Sequence, residues 1–227
     1  YNTVISNFSN EFINEVANTG LDYRLGVTNM SPNYEGRLRS TVGWHTSPQV
    51  FASEIDYYVI DCYPNQSDCS TFEEYGLYIS ELGIKYMRSA QAPPAERIRP
   101  EAQLVTIYMT DEQANSIEDG HRPNNVGAMT AAALQQEYNT FFAAQTVAYA
   151  IYSDTDDCGL TIADAYAEVA LATGGASASL CAANLKQTIS TIIDETAGRA
   201  STFRLPETPI SSTLRVYQAE QDGTTGI

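Results

Sequence analysis

The sequence predicts an α/β fold built on a doubly wound, mostly parallel β-sheet with helices on both faces. Three observations predict it. Gln103-Leu-Val-Thr-Ile-Tyr-Met-Thr110 is a near-continuous apolar and β-branched run, the pattern of a strand buried on both faces, and it stops at Asp111-Glu112. Val147-Ala-Tyr-Ala-Ile-Tyr152 repeats that pattern and runs into Asp154, Asp156 and Asp157. Segments of helical period flank and separate the two runs, and such alternation implies right-handed crossovers into a parallel sheet. Open α/β sheets bind ligands outside the carboxyl ends of their strands, so both acidic stops fall where a site is expected.

In chain order, Val4, Ile5, Phe8, Phe12 and Val16 recur at helical spacing between Asn2 and Asn18, ahead of a Thr19-Gly20 stop. Asp22 to Thr28 reads as a strand. A Ser-Pro-Asn turn at 31–33 and an extended piece from Arg37 to Val42 complete a possible hairpin. Trp44 to Ser70 is irregular. Tyr75, Ile79, Leu82 and Tyr86 mark a helix over Thr71 to Met87 that must end before Pro93-Pro94. An acidic and polar loop through Gly120-His-Arg-Pro123 follows the first buried strand, and a helix from about Thr130 to Ala144 leads into the second. Ile162, Tyr166 and Val169 mark a further helix closing at Thr173-Gly174-Gly175, and Leu185, Ile189, Ile192 and Ile193 mark one ending at Gly198. Thr213 to Gln218 reads as a last strand.

One domain is expected over residues 1–218, with a polar tail at 219–227, because 227 residues suit a single large core. Acidic residues outnumber basic ones 28 to 12, and the formal charge of −16 repels phosphate backbones and anionic lipid at long range. Nucleic acid is therefore not an expected partner. No apolar run approaches the roughly 20 residues that span a bilayer. The four cysteines match neither a zinc ribbon nor a redox Cys-x-x-Cys, so disulfides are expected, with three connectivities possible. Two local bridges, Cys62 with Cys69 and Cys158 with Cys181, are the favoured set. With the Tyr-rich, Lys-poor composition they point to a secreted or cell-surface setting.

No Gly-x-Ser-x-Gly elbow, Walker loop or dinucleotide fingerprint occurs, and His45 and His121 have no His or Cys at ligand spacing, so no enzymatic activity is expected. A metal-assisted hydrolase would need Glu112 as its base. Asp154-Thr-Asp-Asp-Cys-Gly159 partly imitates a calcium loop, but Ala165 stands where the bidentate acid belongs, and the stretch reads as a loop capping the next helix. Trp44 and Tyr57-Tyr58 read as loop packing, with an adhesive aromatic patch as the alternative.

The order of a helix, Leu21-Asp-Tyr-Arg-Leu-Gly-Val27, Phe-Glu-Glu-Tyr-Gly-Leu at 72–77, Arg99-Pro-Glu-Ala-Gln-Leu-Val-Thr-Ile-Tyr-Met-Thr-Asp-Glu112, Tyr166-Ala-Glu-Val-Ala-Leu-Ala-Thr-Gly-Gly175 and Ser179-Leu-Cys181 resembles the von Willebrand factor A domains of bacterial secreted and surface proteins. The resemblance covers about Asn2 to Val216. It implies a Rossmann-like sheet and a metal-ion-dependent adhesion site, in which magnesium, manganese or calcium sits at the carboxyl edge and a partner protein's carboxylate completes its coordination. Carried over residue by residue, Asp111 matches the family's strand-end Asp and Thr71 its Thr, with Ser70 as competitor; Glu112 would act through water. The family's Asp-x-Ser-x-Ser motif and central first strand lie upstream of its first helix, and the chain begins at that helix. The resemblance thus implies that the first strand comes from a segment ahead of Tyr1 or from another chain by strand addition. The first case gives a cation-dependent adhesion domain; the second gives a subunit of a surface fibre or other homo-oligomer.

Overall fold

In the computed structural model the described residues are 12–30, 35–40, 42–55, 57, 74–120, 129–155, 158, 161–182 and 185–200. Residues 12–17 are helical (α1). There follow α2 (Pro48–Ile55), α3 (Gly76–Arg88), β1 (Val105–Thr110), α4 (Asn115–Glu118), α5 (Ala131–Gln145), β2 (Val147–Tyr152), α6 (Asp164–Ala172), β3 (Ser177–Ser179) and α7 (Leu185–Ala200). The fold is mixed α/β around an open, three-stranded parallel sheet in the order β1-β2-β3, with Val105 opposite Val147 and Ala150 opposite Ser177.

Side chains alternate across the sheet, so each strand feeds two cores. On one face Ala148 and Ala150 of β2 and Tyr108 of β1 meet Leu134, Tyr138 and Phe142 of α5, Tyr166 and Val169 of α6, and Leu77 and Ile84 of α3. Opposite them Val147, Tyr149 and Ile151 meet Ile189, Ile192 and Ile193 of α7 and Val16 of α1. Helices therefore cover both faces. The two alanines let the α6 connection come close: a Cβ on Gly175 would overlap the Ala148 carbonyl oxygen, and the Ala148 N–H donates to Thr173 Oγ1 at 2.8 Å. The Thr-Gly-Gly turn is thus where the crossover seats on the central strand.

Helix ends follow local chemistry. Thr130 is extended and its hydroxyl accepts the Ala133 N–H at 3.2 Å, an N-cap for α5. Thr130→Ala should cost about 1 kcal/mol, read as a fall of roughly 2–4 °C in melting temperature. Pro48 occupies the first position of α2, where its fixed φ suits a helix and its missing N–H is no loss.

Several expectations need correction. The segment 22–28 forms no strand; among the described residues Leu25 makes an isolated antiparallel bridge with His45, and the Arg39 N–H donates to the Val27 carbonyl at 2.7 Å. Gly26 packs closely there: a Cβ on it would meet the Leu38 and Trp44 side chains within 3 Å. Helix α2 lies in the stretch read as irregular, because its apolar side, Phe51 and Ile55, is too short to show a period. Helix α4 interrupts the supposed acidic loop, and Ser177–Ser179, too small and polar to signal a strand, forms β3. Strand β1 is not buried on both faces: Val105, Ile107 and Met109 are only partly buried, whereas β2 is buried through its first five residues. The expected strand at 213–218, and residues 2–11 of the first helix, lie outside the described residues.

Candidate functional site

The carboxyl ends of β1 and β2 gather the polar chemistry. Thr110, the last residue of β1, is fully buried, and its hydroxyl donates to Glu74 Oε2. Glu74 precedes α3, whose amino end thus lies beside Thr110 at the sheet's carboxyl edge while Arg88 at its other end donates to the Gln145 carbonyl ahead of β2, so α3 runs antiparallel to the strands. Its own N–H donates to Asn115 Oδ1, while the Asn115 N–H donates to the Glu74 carbonyl at 2.8 Å, a reciprocal clasp between α3 and α4. Asp111 and Glu112 follow Thr110 directly. Three carboxylates therefore share this edge, and among the described residues none is paired with Lys or Arg.

That arrangement raises Glu74. Burial pushes its carboxyl up to about 7, the Thr110 hydroxyl opposes the rise, and the charges of Asp111 and Glu112 add to it. Glu112 is also raised, by burial first and then by Asp111 and Glu118. Ser116, beside Asn115 in α4, is fully buried with an unpartnered hydroxyl.

The β2–α6 loop forms the wall of this edge. Thr161 N–H and Ser153 Oγ both donate to the Asp111 carbonyl, at 3.4 and 3.2 Å, and Gln113 N–H donates to Thr161 Oγ1 at 2.7 Å. Gln113 Nε2 donates to Asp164, and its Oε1 accepts the Ala165 N–H at 3.3 Å, so one side chain joins β1's exit to the start of α6. Asp154 does not cap α6; it accepts a hydrogen bond from Ser179 Oγ at 2.6 Å. The Cys158–Cys181 disulfide spans the same gap with Cα atoms 5.6 Å apart.

Of the sequence-derived metal candidates, Asp111 and Glu112 stand at the carboxyl edge. Thr71 and Ser70 lie outside the described residues, as do Cys62, Cys69, His121, Asp156 and Asp157. The sequence gives little sign of Glu74: its only signal is its place three positions after Thr71, since an acid at a helix start is ordinarily a solvated cap. The oxygen-only donors suit a hard cation. Among the described residues, however, no group of three or more His, Cys, Asp or Glu side chains is placed to hold a metal ion.

A second polar cluster is structural. His45 is buried and its Nε2 meets Glu54 Oε2 at 2.5 Å and Ser40 Oγ at 2.9 Å. Both partners use the same ring nitrogen, so acid, base and hydroxyl are not in relay and the cluster is not a nucleophilic triad. It ties α2 to the Leu25–His45 bridge. Trp44 donates its indole N–H to the Glu96 carbonyl at 2.8 Å, which is loop packing; Tyr57 is exposed and Tyr58 lies outside the described residues. No described helix is long and apolar enough to cross a membrane. Comparison of the chain with protein-family models, with curated proteins and with solved structures finds no match.

Proposed function

We propose that this chain is a non-enzymatic, extracellular binding domain of von Willebrand A-like, doubly wound architecture, which engages a protein partner at the carboxyl edge of its sheet through a divalent cation. One observation carries the reading: Glu74, Asp111 and Glu112 converge there with no basic side chain paired to them among the described residues. Uncompensated, partly buried carboxylates repel one another, and a hard cation relieves that repulsion as a proton on Glu74 does. Asp111 and Glu112 are the cation's proposed ligands with Thr71 or Ser70, and Glu74 supports them from behind. A cation in such a place keeps coordination positions open for a partner's carboxylate.

The test is Mn2+ titration of the full chain by electron paramagnetic resonance. One equivalent should bind, tenfold or more weakly after Asp111→Asn, and affinity should rise from pH 6 to pH 8 as Glu74 loses its proton. Absence of any saturable site at pH 8 would sink the reading.

A second reading, a fibre subunit completed by a strand from a neighbour, rests on β1. The Val147 N–H donates to Leu104 and the Ser153 N–H to Thr110, so even-numbered positions of β1 bond β2 while Val105 and Ile107 turn their amides and carbonyls the other way. β1 ends the sheet among the described residues, and both side chains stay half-buried. Such an edge is a template for strand addition. Polymers that form with concentration and persist in chelator, seen by sedimentation velocity, would favour this reading over the first.

A further inference from the structure

We infer that the Cys158–Cys181 disulfide is a redox latch on the carboxyl edge, holding the β2–α6 loop in the arrangement that fixes Asp111 and Glu112. The inference rests on the carboxyl-edge reading for what the latch controls, but the latch itself is a matter of chain connectivity. The loop is closed at its base, where the Ala163 N–H donates to the Ser153 carbonyl at 2.9 Å, and at that base it holds the main chain of Asp111 and Gln113. It is tied to the end of β3 and the turn that follows by the disulfide at Cys158 and, next to its base, by the Asp154–Ser179 hydrogen bond at 2.6 Å. These two ties converge on one short turn, since the Cys181 N–H itself donates to Ser179 Oγ at 3.2 Å.

The anchor is small. β3 has three residues and pairs only with β2 among the described strands, through Ala150 N–H to Ala176 and Leu180 N–H to Tyr152. Opening the bridge leaves loop and edge strand joined, among the described residues, by the exposed Asp154–Ser179 hydrogen bond and by two long sulfur contacts, Cys158 Sγ with Ser179 Oγ at 3.8 Å and Cys181 Sγ with the Cys158 carbonyl at 3.5 Å, for all of which water competes. The bridge is also within reach of a reductant, because Cys181 is exposed and Cys158 is half-buried. A dithiol supplies the chemistry: its two thiols become a disulfide, and the Cys158–Cys181 bond takes up two electrons and two protons to become two thiols.

The other prominent features carry less. The cleft beside α6 lined by Leu171, Ala167 and Ala176, about 280 Å³, shows nothing of what would fill it. The broader one between α3 and α5 is held by Glu81 with its own Lys85.

The experiment compares the oxidised chain, the chain treated with a dithiol, and Cys158→Ser/Cys181→Ser, by amide hydrogen exchange and by Mn2+ titration. Opening the latch should speed exchange at Gln113 and Thr161 by tenfold or more while amides of β2 keep their protection. Mn2+ affinity should fall by a similar factor. Unchanged exchange at Gln113 and Thr161 in the double variant overturns the latch, and so does loss of protection throughout β2, since a latch acts locally. Failure of the oxidised chain to bind Mn2+ removes the cation reading instead, and the exchange data still decide the latch.

Discussion

Glu74→Gln is expected to stabilise the protein at pH 8 by up to about 3 kcal/mol while weakening any cation bound at the carboxyl edge. In the native chain Glu74 keeps its proton up to about pH 7, against a normal value of 4.5. Between those values the folded state binds more protons than the unfolded one. Stability from this group is therefore fully present below about pH 4.5, declines as pH rises, and is lost above about pH 7. Gln is neutral throughout, its amide oxygen still accepts from Thr110 Oγ1, and it removes the repulsion by Asp111 and Glu112. Thermal melts at pH 4.5 and 8 should show the variant matching the parent in acid and melting roughly 6–12 °C higher at pH 8. An unaltered pH slope would mean that Glu74 ionises normally. A gain in stability coupled to a loss of Mn2+ affinity is the pattern of a strained functional group, because residues kept for binding often cost stability.

Tyr166→Ala should have the largest destabilising effect, about 3–5 kcal/mol, as for other large aromatic side chains removed from a core. The Tyr166 ring is fully buried, lies 5.1 Å from the Tyr108 ring, and fills the space that a Cβ on Gly76 would need. Its hydroxyl approaches Met30 Sδ at 3.7 Å, and the Met30 carbonyl in turn accepts the Tyr75 N–H at 3.3 Å. One ring thus joins α6, β1 and the residues around Glu74. Denaturant unfolding should show a lower midpoint with an unchanged slope, and Tyr166→Phe, which keeps the ring, should cost only about 1 kcal/mol. A Tyr166→Ala cost below 1 kcal/mol would show that the core around β1 collapses to fill the space.

The well-read elements are those where one physical signal dominates. β2 is apolar along its whole length because both of its faces and both of its edges are covered, and its sequence bounds coincide with those observed. Helix α5 lies within a residue of its expected limits; Thr130 caps its start, and the extended Thr146 ends it. The first apolar run has a similar composition, yet β1 is only partly buried. Composition reports that side chains avoid water, but it cannot report how many strands lie alongside. β3 is the opposite case: Ser-Ala-Ser carries no burial signal, and pairing with β2 alone makes it a strand.

At the site, sequence by itself determined the local things: which of the two apolar runs end on acids, and that Asp111 stands at a strand's carboxyl end; for Cys158 and Cys181 it favoured one of three connectivities, and the structure shows that bridge. Each depends on neighbours a few residues apart or on a chemistry with few alternatives. Only the tertiary structure decided that Glu74, some 36 positions before Thr110, closes on the same edge, and that Gln113 and Thr161 lock the loop beside it. An acid's proton affinity depends on what buries it and on which charges lie within a few ångströms. Those distances exist only after α3 has folded back antiparallel to β1, so a single carboxylate read along the chain cannot reveal them.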